Sequence, residues 1–134
     1  MNNILIVHTS WYEEHILKMV NISSEILEKK YTCHKAKAPG VIELAALAKN
    51  KIQHNKFVGI IFLGIVKRGQ TSHYDLITQE TFRSIGSLAE KYSDISIINN
   101  VICVENDDQL NERLVKNTTN NTNALISLIN EKSQ

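Results

Sequence analysis

The 134-residue chain predicts a three-layer α/β/α sandwich around a four-stranded parallel sheet. Three observations carry that expectation. Four short apolar segments alternate with stretches whose apolar residues recur at helical spacing. Strands separated by helices pair in parallel through right-handed crossovers, which sets helices on both faces of the sheet. The length suits one domain, residues 1–134, burying roughly two thirds of its unfolded surface.

Ile4–Val7 opens the sheet, its β-branched content marking a buried strand. Ile16, Met19, Val20, Ile26 and Leu27 define a helix from about Trp11 to Lys30. Tyr31–Lys37 is a second strand, polar on one face and so near a sheet edge. Pro39-Gly40 stops it, and Val41–Lys51 is an alanine- and leucine-rich helix. Phe57–Leu63 is the third and most apolar strand. Ile77, Thr81, Ile85, Leu88 and Tyr92 mark the next helix, and Ile95–Val104 supplies a fourth strand. In the polar C-terminal third, Asp107 or Asp108 caps a short helix reaching Arg113. Asn117–Asn123 then turns the chain into a last helix from about Ala124 to Asn130.

The apolar fraction of 43% and charged fraction of 22% are ordinary for a globular protein. Lys plus Arg (15) nearly balances Asp plus Glu (14), so no global field favours nucleic acid or membrane. Any affinity for an anion must be local. Cys33 and Cys103 form neither a disulfide framework nor a zinc pattern and read as packed thiols. No His/Cys/carboxylate cluster recurs at coordination spacing, so no metal is expected. No apolar run approaches the ~20 residues that cross a bilayer. The first strand follows Met-Asn-Asn directly, leaving no room for a signal peptide, and the expected compartment is the cytoplasm.

Ligands of open parallel sheets bind outside the carboxyl ends of the strands. Three loops belong there: Thr9–Tyr12, Ala38–Glu43 and Gly64–His73, with the loop around Asn99 and Asn100 as a further candidate. Geometry alone gathers Trp11, Glu43, Arg68 and His73 on one edge. Trp11 could stack on a planar heterocycle or simply cover the sheet edge. Glu43 could accept hydrogen bonds from a ligand or serve only as a favourable acid in a helix's first turn. The stretch Leu63–Asp75 passes from an apolar strand into two glycines, Lys67, Arg68, Thr71, Ser72 and His73. Backbone N–H groups at a helix start attract anions, and His73 adds a group that titrates near neutral pH. Lys67, Arg68 and Arg113 could equally be solvated charges, and His73 a surface residue.

Leu63-Gly64-Ile65-Val66-Lys67-Arg68-Gly69-Gln70-Thr71-Ser72-His73-Tyr74-Asp75 closely resembles the LG-x-x-x-RG-x-T-x-H-F/Y-D signature of the 6,7-dimethyl-8-ribityllumazine synthase family. Pro39-Gly40-Val41-Ile42-Glu43-Leu44 is similar to its PGAFELP segment, and Glu105 to Arg113 to its EN-x-x-Q-x-x-ER stretch. Order and spacing agree along the chain from Ile4. The resemblance implies a flavodoxin-like fold and a transferase of riboflavin biosynthesis. A ribitylaminopyrimidinedione would condense with 3,4-dihydroxy-2-butanone 4-phosphate, releasing phosphate and two waters, without metal or redox cofactor.

The resemblance also implies roles. Trp11 would stack on the pyrimidine ring, as in a divergent type of the enzyme. Val41 and Ile42 would meet the substrate through backbone groups, and Glu43 would accept from ribityl hydroxyls. Ile65, Val66, Lys67 and Asn99 would line the ring site. Gln70 and Thr71 would hold the phosphate, joined by Arg113 from an adjacent subunit. His73 would be the general acid/base. Partners would be copies of the same chain, in a pentamer or a pair of pentamers with the site at the interface, and a riboflavin synthase receiving the product.

Four positions depart from the family pattern: Asn99 at a ring-contacting phenylalanine, Asn100 at a glycine, Asn121 at a lysine, and Lys67 at an apolar residue. The N-terminus also lacks most of a segment that adds a strand to a neighbour. These departures leave room for a catalytically weak flavin or lumazine carrier. An archaeal-type riboflavin synthase shares the fold, but its substrates carry no phosphate. A flavodoxin-like signalling domain would need an acidic cluster at the strand ends, which the chain lacks.

Overall fold

The computed structural model describes residues 2–134. Four strands, β1 (Asn3–Thr9), β2 (Thr32–Ala38), β3 (Gly59–Lys67) and β4 (Ser96–Val104), form one parallel sheet in the order β2-β1-β3-β4. Four helices alternate with them: α1 (Glu13–Leu27), α2 (Leu44–His54), α3 (His73–Lys91) and α4 (Asp107–Lys132). The polar β2 takes an edge, as its alternation predicts. The inner strands β1 and β3 are buried on both faces because helices cover both.

Alternate strand residues divide between two cores. Ile4, Ile6, Ile61, Leu63, Ile65, Ile102 and Val104 pack under α1 and α4. Leu5, Val7, Ile60, Phe62 and Val101 pack under α2 and α3. Each fully buried aliphatic side chain contributes about 1.5–3 kcal/mol, so the period-two division fixes the register firmly. The result is a three-layer α/β/α sandwich of the flavodoxin-like kind. The chain leaves β1 toward β2 and returns to β3 on the other side, which makes the crevice between β1 and β3 the topological switch point.

Several boundaries differ from the sequence reading. The third strand runs to Lys67, so Gly64 to Lys67 belong to the sheet and the loop is only 68–72. Ile65 continues the apolar face and pairs with Ile102, which extends the ladder past the glycine. Asn99 and Asn100 lie within β4, opposite Phe62 and Leu63, and form no loop. The first helix begins at Glu13 because Tyr12 adopts a left-handed backbone (φ 60°). A short 3-10 turn, Val41–Glu43, precedes α2.

The largest correction concerns the C-terminal third, where one helix of 26 residues replaces two helices and a turn. Its cap is Asn106, whose side chain accepts from Gln109 N–H, not Asp107 or Asp108. The asparagine/threonine patch is helical because the tertiary structure gives its polar groups partners. Thr118 and Thr122 are buried, Thr122 Oγ1 donates to Thr118 O (2.7 Å), and Ser23 Oγ lies 2.8 Å from Thr122 Oγ1. Asn100 Nδ2 donates to Thr118 Oγ1 (3.0 Å), and Asn121 Nδ2 to Asn100 Oδ1 (2.7 Å).

Candidate active site

At the carboxyl ends of β1, β2 and β3 a cleft of about 340 Å³ opens between the loops that follow them. Its wall includes Thr9 at the end of β1, Trp11 and Tyr12 from the loop that follows, Gly40 to Glu43 from the second loop, Ile65, Val66 and Lys67 from β3, and His73 with Ile77 from α3. This is the switch-point crevice, and the local sequence explains how it forms.

Pro39-Gly40 ends β2 and the 3-10 turn swings Val41 back over β3. Gly64 makes that approach feasible, since a methyl group there would stand 2.8 Å from Val41 Cγ1. Val41 is therefore buried while Ile42 and Glu43 face the opening. Ser10 Oγ donates to Pro39 O (3.2 Å), tying the first loop to the second. Gly40 lies between two candidate ligand groups: a methyl at that position would be 3.2 Å from Glu43 Oε1 and 4.0 Å from Trp11 Nε1. The Trp11 indole is 68% exposed, an open aromatic face at the mouth of the cleft.

The loop 68–72 leads into α3. Thr71 Oγ1 accepts from His73 N–H (3.2 Å), which caps the helix and leaves the hydroxyl hydrogen free to donate outward. Gln70, Thr71 and His73 are exposed. Arg68 is engaged by the protein itself. It meets Glu105 Oε2 at 2.6 Å and Asp75 Oδ1 at 3.3 Å, and its guanidinium covers the Tyr74 ring at 4.3 Å. Lys67 reaches Asp107 Oδ1 at 2.9 Å, and that hydrogen bond, reinforced by the carboxylate charge, raises its pKa above the ordinary lysine value.

Trp11, Val41, Ile42, Glu43, Ile65, Val66, Lys67 and His73 thus share one cleft, with Gln70 and Thr71 in the adjoining loop. Thr71 also borders a smaller hollow with Gly69, His73 and Tyr74. Asn99 and Arg113 lie in neither the cleft nor that loop. Asn99 sits in mid-strand, its Oδ1 accepting from Val101 N–H (2.9 Å), and Arg113 is exposed on α4. Sequence reasoning placed Thr9–Tyr12 at this edge but singled out only Trp11, passing over Thr9, the last residue of β1, and Tyr12, the residue after Trp11. Among the described residues no group of three or more His, Cys, Asp or Glu is placed to hold a metal ion, and no helix is long and apolar enough to cross a membrane.

Comparison with known proteins follows the same outline. A family model described as 6,7-dimethyl-8-ribityllumazine synthase matches residues 2–132. A 6,7-dimethyl-8-ribityllumazine synthase of Neisseria gonorrhoeae is 38% identical over 79 residues, covering 59% of this chain and 49% of that protein. One from Methylobacillus flagellatus is 30% identical over 95 residues, covering 71% and 63%. The chain spans about half the length of the Neisseria relatives it matches.

Proposed function

The chain belongs to the 6,7-dimethyl-8-ribityllumazine synthase family, and from that membership and the cleft we propose that it condenses a ribitylaminopyrimidinedione with 3,4-dihydroxy-2-butanone 4-phosphate. The observation that carries the reading is the convergence of Trp11, Glu43, Lys67 and His73 on one cleft beside a helix-starting loop. An aromatic face, a hydroxyl acceptor, a titratable base and an anion site are what this condensation needs side by side.

Trp11 stacks on the pyrimidine ring, which Ile65, Val66 and Lys67 border. Backbone groups of Val41 and Ile42 hold its polar edge, and Glu43 accepts from the ribityl hydroxyls. The Gln70 and Thr71 N–H groups and the free Thr71 hydroxyl hydrogen take the phosphate, where the α3 dipole favours an anion. The amine of the heterocycle attacks the ketone and water leaves as the imine forms. His73 moves protons as phosphate is eliminated and as ring closure expels the second water. Much of the acceleration comes from holding two reactants in contact.

Arg113, outside the cleft of its own chain, serves a neighbouring copy's site in a pentamer or a pair of pentamers. Ile42 and Leu76, both exposed beside His73 at this edge, support such packing. The enzyme works in the cytoplasm and hands its product to a riboflavin synthase. Mixing purified protein with both substrates and following lumazine formation by absorbance tests the proposal. A rate no higher than the uncatalysed background would favour the carrier reading, which Asn99 in place of a ring-contacting aromatic supports.

A further inference from the structure

Tyr12 is the one non-glycine residue with positive φ among the described residues. The left-handed region is uphill for a bulky side chain, and such a conformation persists only where its surroundings enforce it. Tyr12 also stands at the N-terminus of α1, yet its side chain makes no capping hydrogen bond there. Its backbone oxygen accepts from Ile16 N–H at 3.0 Å, which any residue could do.

A side-chain contact reaches Tyr12 from across the cleft. Lys67, the last residue of β3, places its ammonium 5.6 Å from the centre of the Tyr12 ring. The same ammonium is fixed by Asp107 Oδ1 at 2.9 Å, in the first turn of α4. Three elements meet at this point: the β1–α1 loop, the end of β3 and the start of α4. Trp11 is the residue before Tyr12, and both line the cleft with Lys67. Any change in the Tyr12 backbone redirects the indole.

We propose that Lys67 is a positioning residue for the aromatic wall of the cleft: Asp107 fixes its ammonium, the ammonium holds Tyr12 in the left-handed turn, and that turn aims Trp11. Lysine at this position is thereby tied to the tyrosine that follows the tryptophan, and the two work as a pair.

Trp11 is the only tryptophan, so its fluorescence reports the wall directly. Lys67→Met keeps the aliphatic stem and removes the charge. It is expected to shift Trp11 emission and change its quenching by acrylamide, with Asp107→Asn moving both the same way and Lys67→Arg restoring the native signal. Salt screens exposed charges, so high ionic strength should move wild-type emission toward the Lys67→Met spectrum and leave that variant's unchanged. In turnover, KM for the heterocycle rises about two- to fivefold, more than kcat falls, and KM for the phosphate substrate stays. The kinetic arm rests on the function proposed above; the fluorescence arm does not. Unaltered Trp11 emission and quenching in Lys67→Met overturns the inference whatever the activity. Absence of turnover in the wild type overturns the proposed function and leaves the fluorescence result to decide this one. A drop in thermal midpoint without any change at Trp11 would assign Lys67 a purely structural role and likewise overturn it.

Discussion

Arg68 Nε lies 2.6 Å from Glu105 Oε2, joining the glycine loop before α3 to the turn before α4. The turn is itself locked. Glu105 N–H donates to Gln109 Oε1 (2.7 Å) while Gln109 N–H donates to the cap Asn106 Oδ1 (2.9 Å), so Gln109 ties both residues before the helix. Two sequence segments some forty residues apart are therefore halves of one clamp. Arg68 braces the loop through Glu105 and Asp75, and in the proposed function the anion is left to backbone N–H groups. Arg68→Lys loses the planar fork that bonds two carboxylates. The expected result is a KM for the phosphate-bearing substrate raised about tenfold, with little change in thermal midpoint because the pair is exposed. Steady-state kinetics with each substrate varied in turn checks it. An equal loss for both substrates would count against a phosphate role for this loop.

Gly64→Ala tests the close approach under the second loop. The added methyl would meet Val41 Cγ1 at 2.8 Å, so either the 3-10 turn or β3 must shift. Overpacking of this kind costs about 1–3 kcal/mol. Equilibrium unfolding in urea should show that loss, and Val41→Ala in the same chain should recover part of it. Full stability in Gly64→Ala alone would mean the turn yields freely.

The sheet, the order of its elements and most of the cleft were legible in the sequence because apolar periodicity and the glycine and proline stops act locally. Topology alone gathers Trp11, Glu43, Arg68 and His73; three of them line the cleft, whereas Arg68 turns to Glu105 and Asp75. The failures share a cause. Gly64 reads as a strand end, but its missing side chain serves packing against Val41 and the ladder continues past it. Asn99 and Asn100 read as a loop, but Asn100 is 2% exposed within β4 and bonded across to α4. Residues 117–123 read as a turn, but partners from β4 and α1 satisfy them in a helix. Long-range hydrogen bonds of this kind leave no periodic trace.

That buried network makes a stability prediction. Asn100→Ala removes the partner of both Thr118 Oγ1 and Asn121 Nδ2, leaving polar groups unpaired at the β4–α4 contact. The expected loss is about 2 kcal/mol. Asn121→Ala alone costs less, being only partly buried, and in the double variant the two effects should fall short of their sum. Strict additivity in denaturant titrations would show that the 2.7 Å contact carries no coupling.

Cys33 offers a pH-dependent test of the β2 edge. Burial, assisted by the Glu28 charge, raises its thiol from 9.0 to about 11. The folded chain thus binds this proton more tightly than the unfolded chain. Stability from this group is complete below about pH 9 and is lost as pH rises toward about 11. At pH 8 its thiolate fraction is about a hundredfold below that of a thiol of ordinary pKa. Alkylation should be slow in the native protein and fast in urea, and Cys33→Ala should flatten part of the alkaline decline in stability. Rapid native alkylation at pH 8 would place the thiol in solvent instead.

His73→Ala separates chemistry from architecture. His73 is exposed and its side chain makes no hydrogen bond among the described residues, while its backbone N–H is capped by Thr71 Oγ1. The cap survives the substitution, and alanine is favourable in a helix's first turn. Fold and assembly should therefore be unchanged by sedimentation and circular dichroism. The proposed acid/base role predicts a fall in kcat of about a hundredfold, at the low end for such groups. Binding of a non-reacting pyrimidinedione should be nearly preserved, since Trp11, Glu43 and the backbone of Val41 and Ile42 remain in place. A variant that keeps full turnover would remove His73 from the mechanism. One that dissociates would make it an interface residue, with the proton transfers then falling to water or to the substrate phosphate.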